Sequence, residues 1–323
     1  MKKHWRQKIK DHIEHWSGSL SGHSWWPRYV YFFTDLRNAV SILNEGCLLS
    51  RDQAESSDSI EVNGASREII DQTREECLKF VRLYYRPRTP TQYRCEGIRP
   101  RNERWQDAHC PVPVFFLFDA YEVMSRGDAQ YSNGSIASPS AGYGPKEKDF
   151  DHIPFKKVFH SGRYDTRVEG EIKFHRHAEL LIPEMLPLKE NLTLIACRSH
   201  AERQSLIYLL PSSLQEQWRN LIRIGDSSMY ERQWAYANTV ETDHQEITFY
   251  FNQNSQHAGR FEATILLRFP SGKERRVIET IDAKSPFTIK IEEDAEEVEV
   301  EVEFWLDDAL AYHNKLLLFD VPF

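Results

Sequence analysis

A chain of 323 residues with 40% hydrophobic and 12% aromatic content can bury a sizeable core, and its length predicts two domains rather than one. No run approaches the ~18 uninterrupted apolar residues of a membrane span, and the basic start Met1–Lys8 leads into Asp11, His12 and Glu14 rather than an apolar signal segment. Five cysteines (Cys47, Cys77, Cys95, Cys110, Cys197) stand far apart with no C-x-x-C pair, which argues against a disulfide framework or a thiolate zinc site and predicts a cytoplasmic protein. The net charge of -8 is unevenly spread: residues 240–323 hold 8 Lys/Arg against 18 Asp/Glu, so the first 239 residues carry +2. A mildly basic body with an acidic C-terminal module is compatible with a nucleic-acid substrate.

In chain order, residues up to Trp16 have helical spacing and a basic character, and a Ser/Gly-rich link follows. Tyr29–Phe33 predicts a strand, after which Thr34 or Asp35 caps a helix through Asn44 that Gly46 stops. Glu68–Leu83 predicts a helix. Val112–Phe118 is a continuous apolar run, the pattern of a central strand, and Gly127–Lys148, rich in Gly, Ser, Asn and Pro, predicts a mobile loop. Strands are expected at Ala178–Ile182 and Leu192–Cys197, then a helix from Ser199 through Leu210 and a short one over Glu216–Ile224. From Glu246 the period becomes two, most clearly where Val298, Val300, Val302 and Phe304 alternate with glutamates. Short strands separated by turns predict a small β-sandwich beginning near Thr239.

Two constellations could carry chemistry. Residues 82–94, continuing to Arg99, Arg101 and Arg104, interleave arginines with aromatics: guanidinium groups suit phosphates and rings suit splayed bases, with Pro87 and Pro90 keeping the segment stiff. The same composition suits an exposed loop of solvated arginines. In Phe174–Ile182, strand spacing would put His175, His177 and Glu179 on one face if the whole segment were a strand. That pattern fits a His-x-His metal site, a lone catalytic carboxylate at the start of a buried strand, or a structural Glu paired with an Arg. The repeated tripeptide His200-Ala201-Glu202 follows Ser199 and reads as an ordinary first-turn acid.

Taken in order, these pieces resemble the DarT family of ADP-ribosyltransferase toxins, which attach ADP-ribose from NAD to a base of single-stranded DNA. The family's strand ending Tyr-His-x-Thr is similar to Tyr31-Phe32-Phe33-Thr34, and its helix with Asn-Leu-x-x-Ile-Leu and Gly-Leu to Asn38–Leu43 and Gly46-Cys47-Leu48. Arg67 stands at the distance of the family's arginine. The Tyr-Phe-x-Pro-Arg-x-Pro-Met-x-Tyr stretch resembles Tyr84–Tyr93, and Gln-Ala-Glu-Phe-Leu-Val resembles His177–Ile182. The resemblance spans residues 28–212. It implies Glu179 and Arg67 as catalytic residues, and Tyr31, Phe32, Thr34, Asn38, Leu48 and Tyr85 around NAD. Arg86, Arg88, Tyr93 and Arg94 would hold the nucleic acid. The chemistry requires no metal, so none is expected at His175 and His177.

Two positions depart from the family pattern: Phe32 replaces its histidine and Thr91 its methionine. The C-terminal module is also additional to compact DarT proteins. Because related defence toxins modify RNA, including messenger RNA in chaperone-linked toxin-antitoxin systems, the polymer stays open between single-stranded RNA and DNA, leaning to RNA. The expected architecture is α+β: an N-terminal helical extension (1–27), a mixed ADP-ribosyltransferase core (28–239) and an acidic all-β module (240–323). The module is the candidate docking surface for a protein antitoxin, with or without a chaperone. An NAD glycohydrolase, an NAD-dependent RNA 2'-phosphotransferase and an inactive binding module are the competing readings.

Overall fold

The computed structural model describes residues 2–162, 165–243, 246–253, 255–256, 259–291 and 299–318, without the side chains of Lys2 and Arg67. The apolar runs of the first 230 residues supply β1 (Tyr29–Asp35), β2 (Cys47–Leu49), β3 (Phe80–Tyr84), β4 (Pro113–Asp119) and β5 (Gln130–Ser132). They continue with β6 (Tyr143–Gly144), β7 (Glu179–Pro183), β8 (Met185–Pro187), β9 (Leu192–Cys197) and β10 (Ile222–Ile224). Eight of these form one sheet in the order β10-β9-β4-β1-β3-β7-β5-β6, while β2 pairs with β8 beside it.

The uninterrupted apolar run places β4 inside the sheet, with its first six residues buried. Val114, Phe116 and Phe118 enter the main core with Ile9, Leu36, Ala39 and Leu43 from two helices, Lys2–Ser19 and Leu36–Glu45. Phe115 and Leu117 point the other way, onto Tyr31, Met229 and Tyr230. A strand covered on both faces has no polar face to display, which is why its sequence shows no alternation. The helix Leu36–Glu45 is defined locally, as expected. Asp35 accepts hydrogen bonds from the backbone N–H of Arg37 and of Val112, and Gly46 closes the helix at φ 73°.

Three sequence expectations are corrected. Residues 68–83 are not one helix: Arg67–Gln72 and Glu75–Leu78 are short helices and Phe80–Tyr84 is a strand. Thr73 leaves helical geometry at ψ 129°, and the period-two burial of Phe-Val-Arg-Leu-Tyr then prevails. Residues 127–148 contain β5 and β6, which extend the main sheet beyond β7, so the Gly/Ser-rich stretch carries defined structure. The last helix spans Ser212–Trp218, and Ile222–Ile224 is instead a strand parallel to β9.

Beyond the core lie β11 (Ala237–Asp243), β12 (Glu246–Phe251), β13 (Arg260–Arg268), β14 (Glu274–Asp282), β15 (Phe287–Lys290), β16 (Glu299–Leu306) and β17 (Ala309–Leu317). They form two sheets, β11-β12-β15 and β14-β13-β16-β17. Alternate residues Val300, Val302, Phe304 and Leu306 are buried, and Phe304 meets Phe249 of the other sheet at 4.3 Å between ring centroids. Glu297 and Val298 of the expected strand lie outside the described residues. The chain is thus a mixed α/β core followed by an all-β module.

The two parts are joined by polar contacts. The His313 N–H donates to Ser205 Oγ, and the Ser199 hydroxyl donates to the Ala237 carbonyl, both from around the helix His200–Leu209. Beneath this junction Arg198 is fully buried between Glu202 and Glu96 and lies 4.0 Å from the Tyr236 ring centroid. Glu96 also accepts from the backbone N–H of Glu231 and Arg232. The second His-Ala-Glu tripeptide is therefore structural, its carboxylate committed to Arg198.

Replacing Asp35 with Ala removes the acceptor that joins β1, β4 and the following helix. An unfolding free energy lower by about 1–3 kcal/mol is expected in urea denaturation. A loss below about 0.5 kcal/mol would show that the cap carries no such role.

Candidate active site

A cleft of about 510 Å³ opens around the end of β1. Because it wraps that strand end, Phe32 and Thr34 from one face and Phe33 from the other all border it. Arg82 and Tyr84 of β3 form its floor, and Ser135 closes one side. The apolar surfaces and few convergent polar groups are those of a small-molecule site.

Glu179 does not itself border the cleft but is bonded to Arg82, which does. In the β3–β7 pairing it is directly opposite Tyr84, so it shares the cleft-facing side with Tyr84 and Arg82. Its side chain is fully buried. Oε1 accepts from both Nε (2.9 Å) and Nη2 (2.6 Å) of Arg82, and Oε2 accepts the Ile136 N–H at 3.0 Å. Burial raises the Glu179 pKa, while the Arg82 charge, its hydrogen bonds and the Ile136 N–H oppose that rise. Arg82 also donates to the Ser135 hydroxyl at 3.1 Å, which ties the 133–138 loop to the same pair.

The other residues expected at the site divide into two groups. Phe32, Thr34, Asn38, Leu48 and Arg94 border the cleft. Asn38 is committed internally: Nδ2 donates to Thr34 Oγ1 and the Val62 carbonyl, while Oδ1 accepts from Glu61 and Val62 N–H. It pins the 61–62 segment that forms part of the rim. Arg67 opens the helix Arg67–Gln72, whose Ile69 and Ile70 border the cleft, but its side chain lies outside the described residues. Tyr93 is 52% exposed.

Four other residues expected at the site do not border the cleft. Tyr31 is fully buried away from the opening, with its hydroxyl donating to the Trp26 carbonyl. Tyr85 packs against Phe155 in the main core. The Arg86 guanidinium is buried too, donates to the carbonyls of Pro87, Val158 and His160, and lies 4.7 Å from the Trp26 ring centroid. It therefore braces the core instead of offering a phosphate contact. Arg88 turns toward Glu231, 3.6 Å away, and its backbone takes φ 58° to meet Gln92.

The two histidines do not share a strand face with Glu179. His175 ends the helix Glu169–His175 and faces the Asn133 carbonyl, while β7 begins only at Glu179. His177 Nδ1 donates to the Lys173 carbonyl, and Nε2 accepts from the Thr91 hydroxyl at 3.1 Å. Burial lowers its pKa to about 4, so the ring is neutral at ordinary pH and tethers Thr91 at the cleft.

Sequence reasoning placed Arg82 only in the arginine-rich stretch and missed its pairing with Glu179, together with Ser135 and the Ile136 N–H. Arg82 was visible as a charge in a period-two apolar segment, which is the signal of a strand with a polar face directed at a site. Its link to Glu179 crosses 97 residues and had no local signature.

The family described as "ssDNA thymidine ADP-ribosyltransferase, DarT" matches residues 31–231. Among solved structures, Thermus sp. 2.9 DarT in complex with ADP-ribosylated ssDNA is 17% identical, with a TM-score of 0.50 over 63% of this chain and 96% of that one. The same Thermus protein in complex with NAD+ is 17% identical, with a TM-score of 0.47 over 63% and 98% of the two chains. Thermosipho africanus DarTG in complex with ADP-ribose is 19% identical, with a TM-score of 0.45 over 67% and 54%. No curated protein matched the chain in a sequence search.

Replacing Arg82 with Met leaves the Glu179 carboxylate buried without its cation, so its pKa rises further above 4.5. A carboxyl whose folded pKa exceeds the unfolded one is protonated first in the native state, and stability falls as pH rises through that interval. The variant is expected to lose about 3 kcal/mol at pH 8 and less at pH 5 in urea denaturation. An equal loss at both pH values would show that no charge is being left unpaired.

Proposed function

The chain belongs to the DarT family and is an NAD-dependent ADP-ribosyltransferase; from that premise we propose that it transfers ADP-ribose to a base of single-stranded DNA, with Glu179 as its catalytic carboxylate. The observation that carries the assignment of Glu179 is its placement: a fully buried acid fixed by the Ile136 N–H and by Arg82, which borders the cleft. A carboxylate has about four acceptor sites. Among the described residues Arg82 fills two and Ile136 one, which leaves one acceptor site on Oε2, although the buried carboxylate does not itself border the cleft.

The cleft fits NAD in size and in chemistry. Phe32, Phe33 and Tyr84 offer faces for aromatic rings, and Arg82 and Ser135 offer donors for phosphate or ribose oxygens. NAD supplies an ADP-ribosyl group whose bond to nicotinamide breaks with oxocarbenium character on the ribose. Glu179 would stabilise that charge and receive the proton that the base nitrogen gives up as its new bond forms. Arg82 would hold the carboxylate in place and ionised. Arg67, at the start of its rim helix, is assigned the role of positioning the substrate. Phe32, in place of the family's histidine, contributes packing against Phe116 at 6.3 Å between centroids.

The DNA assignment departs from the lean toward RNA and rests on the family's described substrate. A toxin of this kind needs a protein that restrains it, and the C-terminal module is the surface proposed for such an antitoxin, alone or with a chaperone. The acid-rich face is less available than its composition suggests, because Glu299, Glu301 and Glu303 already meet Lys315, His313 and Arg268. The exposed Ile278 and Leu317 on the edge strands β14 and β17 are better contacts. A cytoplasmic setting with a role in phage defence accompanies this reading; all five cysteines are free, and among the described residues no helix is long and apolar enough to cross a membrane.

Incubation of the protein with labelled NAD and single-stranded DNA, single-stranded RNA or no polymer tests the assignment. Label on DNA is the expected result. Label on RNA alone would overturn the choice of polymer. Free ADP-ribose without labelled polymer would identify a glycohydrolase, and NAD-dependent removal of a 2'-phosphate from RNA would identify a phosphotransferase. Intact NAD in every mixture would favour a binding module.

A further inference from the structure

Trp105 is large, apolar and 47% exposed, and it borders the cleft. It is held in place from several directions. The Arg94 guanidinium carbon lies 4.6 Å from its ring centroid, so one face of the indole is backed by a cation. The next two residues, Gln106 and Asp107, take φ 46° and 61°, and the Ala108 N–H returns to the Trp105 carbonyl at 2.8 Å. Two consecutive non-glycine residues in left-handed geometry form a tight reversal whose conformational cost the surrounding contacts must offset. Gln106 reaches Glu68, on the helix that carries Arg67.

The segment leading to Trp105 is anchored outside the core. Arg104 pairs through both Nη atoms with Asp308, in the turn between β16 and β17, and its Nε donates to the Arg99 carbonyl at 3.3 Å. Arg101, with a 74% exposed side chain, lies 3.5 Å from the same carboxylate. At the base of the arm, Gly97 has φ 91°, and a Cβ there would meet the Trp234 Cβ at 2.7 Å. The C-terminal module thus helps to fix the rim of the cleft.

An indole at a cleft rim, backed by a guanidinium, is suited to stack on a nucleobase. We propose that Trp105 and Arg94 form a stacking step for a base flanking the modified one in single-stranded DNA, and that Asp308 is a positioning residue for this step. The inference rests on the proposed nucleic-acid substrate and adds a subsite to it. Stacking on either purine or pyrimidine faces makes the contact tolerant of sequence, so this subsite selects an unpaired strand without selecting a base.

The test follows steady-state transfer by the full chain, with a single abasic position moved through a DNA oligonucleotide. Trp105→Ala is expected to raise the oligonucleotide KM by about 5- to 150-fold, the range set by loss of one stacked base, with the NAD KM unchanged and Trp105→Phe restoring most of the affinity. In the wild type, one flanking abasic position should give a similar penalty, and in Trp105→Ala that position should cost nothing further. Asp308→Asn should produce a smaller rise in oligonucleotide KM without changing the NAD KM. An unchanged oligonucleotide KM in Trp105→Ala, or a rise in the NAD KM instead, would overturn the proposal. Failure of the wild type to label any polymer would instead remove the substrate reading on which it rests.

Discussion

The pairing of Glu179 with Arg82 is the contact around which the site is organised. A carboxylate taken fully out of water is costly unless its charge is matched and its oxygens are hydrogen-bonded. Here the matching group comes from the adjacent strand β3, and the remaining polar contact comes from the backbone of Ile136. The pair therefore links two central strands and the 133–138 loop, and the same arginine faces the cleft. Arg82 can consequently serve both as the counter-charge that permits burial and as part of the surface a substrate meets.

This arrangement depends on the register of the sheet. Tyr84 lies opposite Glu179, and β1 meets β3 where Tyr31 pairs with Tyr84. A shift of one residue between β3 and β7 would turn Glu179 to the other side of the sheet from Arg82 and Tyr84. Register is secured by the opposite alternation, since Val81 and Leu83 enter the main core with Leu180 and Ile182. Packing on one face thus determines the chemistry available on the other. The C-terminal module makes a second, more distant contribution through Arg104 and Asp308, which hold the rim that carries Trp105.

The parts of the fold legible in the sequence were those determined by nearby residues. Asp35, the helix after it and Gly46 form a self-contained start and stop, and the apolar run of β4 announced its burial directly. The alternation in β16 likewise identified its buried side. The 68–83 stretch misled because two short helices and a strand share a region with enough apolar residues to mimic one helical face. Tyr31, Tyr85 and Arg86 could not be assigned from alternation alone, because period two separates two faces without saying which one borders a cleft. Arg86 illustrates the difficulty: its place in an arginine-rich segment suggested phosphate binding, yet three backbone carbonyls absorb its donors. The acid before the apolar run of β7 was conspicuous, whereas its partner Arg82 became apparent only when β3 and β7 were brought together.

The most direct measurement of the central claim is the single-turnover rate of nicotinamide release by Glu179→Gln in the presence of saturating single-stranded DNA. Glutamine preserves the shape of the side chain and an acceptor for the Ile136 N–H, while removing the negative charge and the proton acceptor. The account predicts a rate at least about 100-fold below wild type, with the NAD-induced rise in melting temperature retained. Release at the wild-type rate would show that the buried carboxylate supports the fold without taking part in the chemistry.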